Sequence, residues 1–430
     1  MEDKGNSKIW FDRLLTRTKL SDKVLDKLNS VYSMKINNKS KYYSEYSSTL
    51  YNIIKCVIIN TDKMYVSFDK ESYQGKIIVN GSGVTPKVKY TQVFKMIDLL
   101  AKNNLISVNK GFKVNRRIKE DGYIEFSEEL KCLIHKVIQD SGIIPKFKNN
   151  LNALVVLDGN NNPLVLKGEN KMLGKEFITF VSDFNDWIAE QEIYLDEVEI
   201  TAWLCRIFKE NLQQHGRFYN VGQIINYQTL SQIKRGDIVI NGEGTIELDY
   251  QHIHPSILYE LADIKRIVDM YDVGVKEYAD CTQTPKQVRN TVKDALLRML
   301  NTSSRAGAIA SVIKMFEDRD GKVDNLFSRY GDITNANLKV LAGQVVTSIE
   351  QSHTEISEDF YKNKALGLMG LDSQIMNNVL MLCKEDGIIA LPLHDSIIIP
   401  ESEGLNASVI MKEAYEKVLG SDYNCKIDIK

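Results

Sequence analysis

Residues 387–400 read Gly-Ile-Ile-Ala-Leu-Pro-Leu-His-Asp-Ser-Ile-Ile-Ile-Pro, two apolar runs of strand-forming composition interrupted only by His394, Asp395 and Ser396. Such runs predict two short antiparallel strands joined at the polar residues. Carboxylates are among the side chains least often buried for packing. The stretch therefore predicts a hairpin that carries a functional aspartate, Asp395, at its apex.

A second aspartate ends another predicted strand. Residues 244–250, Gly-Thr-Ile-Glu-Leu-Asp-Tyr, follow an Asn241-Gly242 dipeptide and are predicted to pair with residues 237–240 as a hairpin. The strand ends at Asp249. A lone aspartate in this position is usually an ordinary strand-end or capping residue. A functional role for Asp249 is therefore indicated only together with the other segments.

A cationic helix is predicted between these strands in the sequence. Thr284 is an N-cap residue type and Pro285 suits the first helical position. Four side chains then recur every four residues along one face. They are Arg289, Lys293, Leu297 and Asn301. Fixed positive charge on one helix face suits a nucleoside triphosphate, because it offsets charge that develops on the leaving pyrophosphate; the alternative is a solvated helix face.

Two aspartates on antiparallel strands and a cationic helix suggest phosphoryl transfer assisted by two metal ions. In that chemistry two divalent ions about 4 Å apart activate the attacking hydroxyl and stabilise the leaving oxygen. Oxygen ligands suit Mg²⁺, for which Mn²⁺ can substitute. The predicted metal ligands are Asp249 and Asp395, and His394 joins them in the predicted catalytic group.

The three segments resemble motifs A, B and C of A-family DNA polymerases and bacteriophage-type single-subunit RNA polymerases. The resemblance covers roughly residue 206 to residue 430. It implies that Asp249 binds both metal ions, that Asp395 is the second metal ligand, and that His394 orients the hairpin or the primer end. It also implies nucleotide-binding roles for Tyr250, His254, Arg289, Lys293 and Asn301.

A fourth element agrees with the family order. His215-Gly216-Arg217-Phe218-Tyr219 resembles the Gly-Arg element that precedes motif A, which implies a contact between Arg217 and the primer-template backbone. The matching runs 240–243, 247–250 and 254–255 are also similar to a group of uncharacterised plasmid- and phage-associated proteins related to these polymerases.

The chain departs from the family pattern at several positions. Gln213 stands where the family has Asp or Thr, and Asn301 replaces the motif B Tyr. His254 stands where DNA polymerases have Glu and RNA polymerases have Gly; its bulk favours deoxynucleotides, whereas His394-Asp395-Ser396 follows the RNA polymerase form. The sequence leaves the sugar of the nucleotide undecided.

The region before residue 150 has a different character. A helix is predicted from Tyr90 to Lys102, followed by strands at 105–108 and 122–126 that flank a basic turn. Between residues 85 and 119 there is one acid, Asp98, and a set of nine basic side chains. These are Lys87, Lys89, Lys95, Lys102, Lys110, Lys113, Arg116, Arg117 and Lys119.

This outline is that of a winged-helix module. The helix that carries Lys95 would enter a major groove, while Lys113, Arg116 and Arg117 on the wing would contact phosphates of DNA, or of RNA. An ordinary solvated surface and a protein-binding module are the alternatives.

The composition limits the class of protein. The chain has 430 residues, 43% hydrophobic and 26% charged, with a formal net charge of -2. The charge excludes a globally basic nucleic-acid coat, and no apolar run suits a membrane-spanning helix or a signal peptide. A cytoplasmic protein without a membrane partner is expected. Six separated cysteines without a Cys-x-x-Cys pair indicate neither a zinc site nor a disulfide framework.

The predicted fold class is α+β, with a right-hand polymerase-like palm, an antiparallel sheet and small helical fingers. The predicted segments are a helical region (1–70), a winged-helix-like nucleic-acid-binding domain (71–148), a connecting or thumb-like region (149–211) and the palm and fingers (212–430). In the connecting region a strand pair is predicted at 154–157 and 163–166, with helices at roughly 175–190 and 195–211.

The sequence therefore predicts a template-directed nucleotidyltransferase that uses nucleoside triphosphates in the replication or transcription of a mobile element or phage. The competing hypothesis is a DNA-binding replication initiator or regulator with a catalytically inactive palm. An HD-type phosphohydrolase would need further His and Asp ligands on helices, and His252 with His254 lacks a third metal ligand. No particular protein partner is predicted.

Overall fold

The computed structural model describes residues 18–40, 42–58, 61–68, 77–84, 88–114, 117–143, 152–196, 198–221, 225–274, 285–317 and 335–430. The chain divides into two compact units, Met1–Asn152 and Ala153–Lys430. The finer predicted divisions within these units stay predictions. Among the described helices, none combines the length and the apolar composition needed to cross a bilayer.

The first unit combines helices with small antiparallel sheets. Its elements are α1 (Lys19–Tyr32), α2 (Tyr43–Ile58), β1 (Lys63–Tyr65), β2 (Ile77–Val79), β3 (Ser82–Val84), α3 (Tyr90–Lys102), β4 (Ile106–Asn109), β5 (Phe112–Val114), β6 (Arg117–Glu120), β7 (Tyr123–Phe126) and α4 (Glu128–Ser141). Strands β1, β7 and β4 form one sheet in that order, and β5 pairs with β6 as a hairpin.

Helix α3 has the bounds that the sequence predicts. Its buried face consists of Val93, Met96, Ile97 and Leu100, whose spacing is that of one helical face. The predicted strands on either side of the basic turn are present as β4 and β7, which pair with each other. The sequence of α3 therefore determines both its length and the face that it buries.

The second unit carries the larger sheet. Its first elements are β8 (Leu154–Leu157), α5 (Gly168–Ile188), β9 (Ile193–Leu195), β10 (Val198–Glu199), β11 (Leu204–Lys209), β12 (His215–Asn220), α6 (Gln232–Arg235), β13 (Ile238–Ile240) and β14 (Glu243–Tyr250). The remaining elements are α7 (Ile253–Leu261), α8 (Pro285–Leu300), α9 (Arg305–Glu317), α10 (Asn335–Ser352), α11 (Ala365–Glu385), β15 (Leu391–Leu393), β16 (Ser396–Pro400), α12 (Gly404–Leu419) and β17 (Ile427–Ile429).

Strand β14 organises a seven-stranded sheet of order β10-β9-β13-β14-β16-β15, in which β17 also pairs with β14. The predicted hairpin at Asn241-Gly242 is the β13–β14 turn, and both residues have positive φ, 50° and 81°, as a two-residue hairpin turn requires. Strand β16 is buried along its whole length. The apolar sequence of this strand follows from cover on both faces.

A second sheet has the order β12-β11-β8, with β11 antiparallel to β12 and parallel to β8. The prediction of a helix at 195–211 is wrong, because this segment forms β10 and β11. Leu204, Cys205 and Arg206 are buried on both faces of β11, and a strand buried on both faces lacks the alternation that distinguishes it from a helix. The second strand predicted at 163–166 is reduced to a bridge between Pro163 and Leu157.

Candidate active site

The two predicted metal ligands lie at the same end of the β14–β16 strand pair. Asp249 lies opposite Ser396 in the antiparallel β14–β16 ladder. The main-chain N–H of Tyr250 donates to the main-chain carbonyl of Asp395 at 3.1 Å. Asp395 belongs to the turn between β15 and β16. The strand register therefore brings aspartates from distant parts of the sequence to the same end of two adjacent strands.

The electrostatic surroundings of Asp249 reflect this proximity. Its side chain is 19% exposed. Burial raises the pKa of the Asp249 carboxyl to about 6, and the negative charge of Asp395 adds to the increase. The ionised form of Asp249 is therefore disfavoured unless a cation lies close to its carboxylate.

One cation is already present beside Asp249. The Nζ atom of Lys430 lies 2.6 Å from Asp249 Oδ2 and 3.7 Å from Glu247 Oε1. Glu247 is otherwise engaged, because it accepts from Arg235 Nε at 2.9 Å and from Ser396 Oγ at 3.1 Å. Glu247 is therefore a structural acid of the sheet, whereas Asp249 has only a single lysine against its side chain in the described contacts.

The carboxylates of Asp249 and Asp395 suit an open site for Mg²⁺ or Mn²⁺ better than a site in which protein side chains supply every ligand. Within the described ranges no group of three or more His, Cys, Asp or Glu side chains is placed to hold a metal ion. Mg²⁺ is commonly held by one or two carboxylates, with water and substrate phosphates as the other ligands. Two carboxylates with a raised Asp249 pKa suit that kind of open site.

Arg289 on α8 is fixed by three side chains. Its Nε lies 3.4 Å from Asp269 Oδ2, its guanidinium carbon lies 4.9 Å from the centre of the Tyr271 ring, and its Nη2 donates to His252 Nε2. His252 must be neutral to accept this hydrogen bond, in agreement with burial, which lowers its pKa to about 4. Arg289 nevertheless stays 41% exposed, so the guanidinium is accessible to an anion.

The rest of the predicted cationic face is divided. Lys293 is exposed, and its positive charge is one of those that lower the pKa of His252, after burial. Asn301 follows the last residue of α8 and donates from Nδ2 to the Leu297 carbonyl at 2.9 Å. Thr284, the predicted N-cap, lies outside the described residues. Arg289 and Lys293 therefore act on a common region, while Asn301 marks the helix end.

The Gly-Arg element is locked to α11. Gly216 has φ 69°, and a Cβ atom there would lie 2.6 Å from Ser373 Oγ. Arg217 donates to Asp372, with Nη2 2.5 Å from Oδ2 and Nε 3.3 Å from Oδ1. His254 Nε2 lies 2.9 Å from the same Oδ2 atom. Asp372, with 1% of its side chain exposed, thus joins two of the predicted site residues.

Burial limits which atoms of two predicted site residues, Arg217 and Tyr250, can contact a substrate. The Arg217 side chain is only 15% exposed and is paired with Asp372 through Nη2 and Nε. A direct contact with nucleic acid would therefore use the part of the guanidinium that does not face Asp372. Tyr250 is 3% exposed, and its hydroxyl donates to the Met411 carbonyl at 2.5 Å. Because neighbours on a strand face opposite ways, Asp249 faces the site and the Tyr250 side chain faces the core. A nucleotide contact by Tyr250 would therefore use its main chain, and this contact stays a prediction.

His394 occupies the apex of the β15–β16 hairpin with φ 57°. Its ring meets the Tyr219 ring edge-on at 5.8 Å, and Tyr219 stacks on His215. Burial lowers the pKa of His394, and the positive charge of Arg217 acts in the same direction. The Nδ1 atom is buried without a hydrogen-bond partner in the described part of the chain, which leaves a polar atom free for a ligand or water.

Of the four basic residues of the first unit that are predicted to contact nucleic acid, Lys95 is the one whose side chain the structure describes. Lys95 on α3 is exposed, with its ammonium 5.8 Å from the centre of the Tyr42 ring. Lys113 and Arg117 belong to the paired strands β5 and β6. Arg116 lies outside the described residues. The segment predicted as a basic turn therefore contains a further strand pair, β5–β6.

Sequence reasoning missed Asp372, Asp269 and Lys430. Asp372 offered a signal, since it interrupts the apolar pattern of α11 on a face that is buried. Lys430 gave none, because its place depends on the pairing of β17 with β14. Asp269 lies in a segment without strand or helix periodicity.

No protein-family model and no curated protein matches the chain. Among solved structures it is similar to the POL domain of Pol1 from M. smegmatis in complex with DNA primer-template and dNTP, with 11% identity and a TM-score of 0.30. The match covers 96% of this chain and 64% of that chain. This is at most a distant polymerase-like likeness.

Proposed function

We propose that the chain is a template-directed nucleic-acid polymerase, a nucleotidyltransferase whose palm is the seven-stranded sheet and whose fingers include α8. The observation that supports this most strongly is the β14–β16 register, which sets Asp249 beside Asp395. A raised pKa, like that of Asp249, is expected where two carboxylates lie close together in a functional site.

Asp249 and Asp395 would hold two Mg²⁺ ions, which supply activation of the attacking hydroxyl and stabilisation of the leaving oxygen. Arg289 and Lys293 would bind the triphosphate and offset charge on the departing pyrophosphate. Asn301 and His254 would lie towards the base and sugar. His394 would use its unpaired Nδ1 to orient the primer end.

Nucleic-acid binding is assigned to two regions. Arg217 would contact the primer-template backbone with the guanidinium edge that Asp372 leaves free. In the first unit, Lys95, Lys113, Arg116 and Arg117 would contact phosphates in a winged-helix-like manner. Replication or transcription of a mobile element or phage is the proposed setting.

The test is incorporation of labelled nucleotides by the full chain on a primed template with Mg²⁺ or Mn²⁺. We expect template-dependent extension with dNTPs or NTPs, and the preferred set identifies the sugar. Asp395→Ala should abolish extension, whereas Asp386→Ala, at an exposed position after α11, should retain it. Extension that persists in Asp395→Ala would contradict the proposal.

A second candidate function has one observation in its favour. Lys430 neutralises Asp249, and Asp269 with His252 engages Arg289, so the main charged groups of the site already have protein partners. Such compensation suits a DNA-binding initiator or regulator with an inactive palm. Specific duplex binding by the purified chain, with no incorporation under any metal or nucleotide, would favour this function.

A further inference from the structure

Lys430 is positioned by the sheet. Its main-chain N–H donates to the Glu247 carbonyl at 2.9 Å, which continues the antiparallel β14–β17 ladder in which Asp249 lies opposite Asp428. Because alternate residues of a strand share one face, Lys430 lies on the face that carries Glu247 and Asp249. The ammonium therefore reaches Asp249 as a consequence of strand register.

The ammonium has two acceptors at different distances. Nζ lies 2.6 Å from Asp249 Oδ2, a charge-assisted hydrogen bond, and 3.7 Å from Glu247 Oε1. Glu247 has 7% of its side chain exposed, and Arg235 Nη2 holds its other oxygen at 2.8 Å. A small movement of the flexible lysine would exchange Asp249 for a carboxylate that is already fixed in place.

We propose that Lys430 is the resident counter-ion of the metal site, which holds the Asp249 carboxylate in place until a divalent ion takes Oδ2 and the ammonium moves to Glu247. The inference rests on the proposed function, because it takes Asp249 to be a metal ligand. A divalent ion and an ammonium group cannot both occupy the same carboxylate oxygen at bonding distance without strong repulsion. Metal binding at Asp249 therefore includes the displacement of Lys430.

It follows that Lys430 weakens divalent-ion binding in the absence of substrate. This role differs from that of Arg289, which is held by Asp269 and His252 away from the Asp249 side chain in the described contacts. A cation that binds the triphosphate, as proposed for Arg289, would raise the affinity for the nucleotide. A counter-ion at Asp249 Oδ2 changes only the affinity for the metal ion. The two roles are separated by measuring metal binding without nucleotide.

The experiment is a titration of the full chain with Mn²⁺ at pH 8, with free Mn²⁺ measured by electron paramagnetic resonance. Asp249→Asn defines the binding that depends on Asp249. Lys430→Met removes the ammonium and retains a side chain of similar length. This variant should bind Mn²⁺ about tenfold more tightly than the wild type. Lys430→Arg keeps the charge and should match the wild type, as should Lys417→Met on the exposed face of α12.

Circular dichroism establishes that each variant is folded. Asp249-dependent binding of equal or lower affinity in Lys430→Met than in the wild type would overturn the counter-ion role and leave the metal site standing. Absence of Asp249-dependent binding in every variant would overturn the role together with the proposed metal site. Tighter binding in Lys430→Arg as well as Lys430→Met would also contradict the role, because the charge would then not be responsible.

Discussion

Arg217 and Asp372 form a two-point ion pair that joins β12 to α11, with Nη2 2.5 Å from Oδ2 and Nε 3.3 Å from Oδ1. The same carboxylate lies 2.9 Å from His254 Nε2. Three parts of the chain that look unrelated in sequence thus meet at one buried acid. The pair fixes the Gly-Arg element relative to the helix that leads into the His394-Asp395 hairpin.

Asp372→Asn should lower the free energy of unfolding by about 3 kcal/mol, because it leaves Arg217 and His254 without their buried anionic partner. Urea titration followed by circular dichroism measures the change. Asp386→Asn, exposed after the same helix, should change stability by less than about 0.5 kcal/mol. Equal stability of the two variants would show that the ion pair contributes nothing.

Gly216→Ala should destabilise the fold by about 2–3 kcal/mol, because it adds both a positive-φ penalty and a close contact. A Cβ at Gly216 would lie 2.6 Å from Phe208 Cε1 and from Ser373 Oγ. Gly387→Ala separates the two effects, since φ there is 75° but nothing lies within 4 Å; a loss of about 1 kcal/mol is expected. Gly244→Ala, also in open space, should be close to neutral.

Arg206→Lys should cost about 2–4 kcal/mol although it preserves the charge. Arg206 is 1% exposed and stacks 4.3 Å from the centre of the Phe177 ring. It donates from Nε to the Gly216 carbonyl at 2.8 Å and from Nη1 to Asn377 at 2.9 Å, and burial lowers its pKa to about 9. A lysine cannot make this planar set of contacts.

The comparison for Arg206 is Arg305→Lys, because Arg305 is 46% exposed and pairs with Glu350. Surface pairs of this kind contribute less than about 1 kcal/mol. Urea titration of both variants should therefore separate them clearly. Similar losses would mean that the planar guanidinium of Arg206 has no special role.

Buried His353 should make the protein less stable as pH falls from about 6.5 towards 4. Burial lowers its pKa to about 4, while an unfolded histidine titrates near 6.5. In that window the unfolded chain binds a proton that the folded chain does not, so stability is lost on acidification. Its Nε2 lies 2.9 Å from the Met270 carbonyl oxygen, which requires a proton on Nε2.

The measurement for His353 is the free energy of unfolding at several pH values between about 4 and 8. His353→Gln should reduce the slope with pH by up to one proton per molecule in this window. An unchanged slope would indicate that His353 binds its proton equally well in the folded and the unfolded chain. The buried His252, whose pKa is also lowered to about 4, should keep part of the slope in the variant.

Local signals predicted the fold best where contacts are close in sequence. The β13–β14 hairpin and helix α3 follow from a two-residue turn and a 3.6-residue period. Residues 195–211 were predicted wrongly because β11 is buried on both faces and shows no alternation. The opposite facing of Asp249 and Tyr250 follows from strand alternation alone.

The partners of the site residues were beyond sequence reasoning. Asp372 meets Arg217, and Lys430 meets Asp249, only through tertiary register between elements far apart in the chain. Nothing in the local pattern around Lys430 marks it, since a lysine that follows a short strand is ordinarily a solvated residue. The motif residues were found as types, whereas their charge partners required the fold.

Anomalous diffraction from crystals of the full chain grown with Mn²⁺, primed template and a non-hydrolysable nucleoside triphosphate tests whether Asp249 and Asp395 share metal ions. We expect two peaks about 4 Å apart, within bonding distance of the Asp249 and Asp395 carboxylates. Lys430 should then lie against Glu247. Nucleotide bound with no peak between Asp249 and Asp395, or with Lys430 still on Asp249, would contradict this expectation.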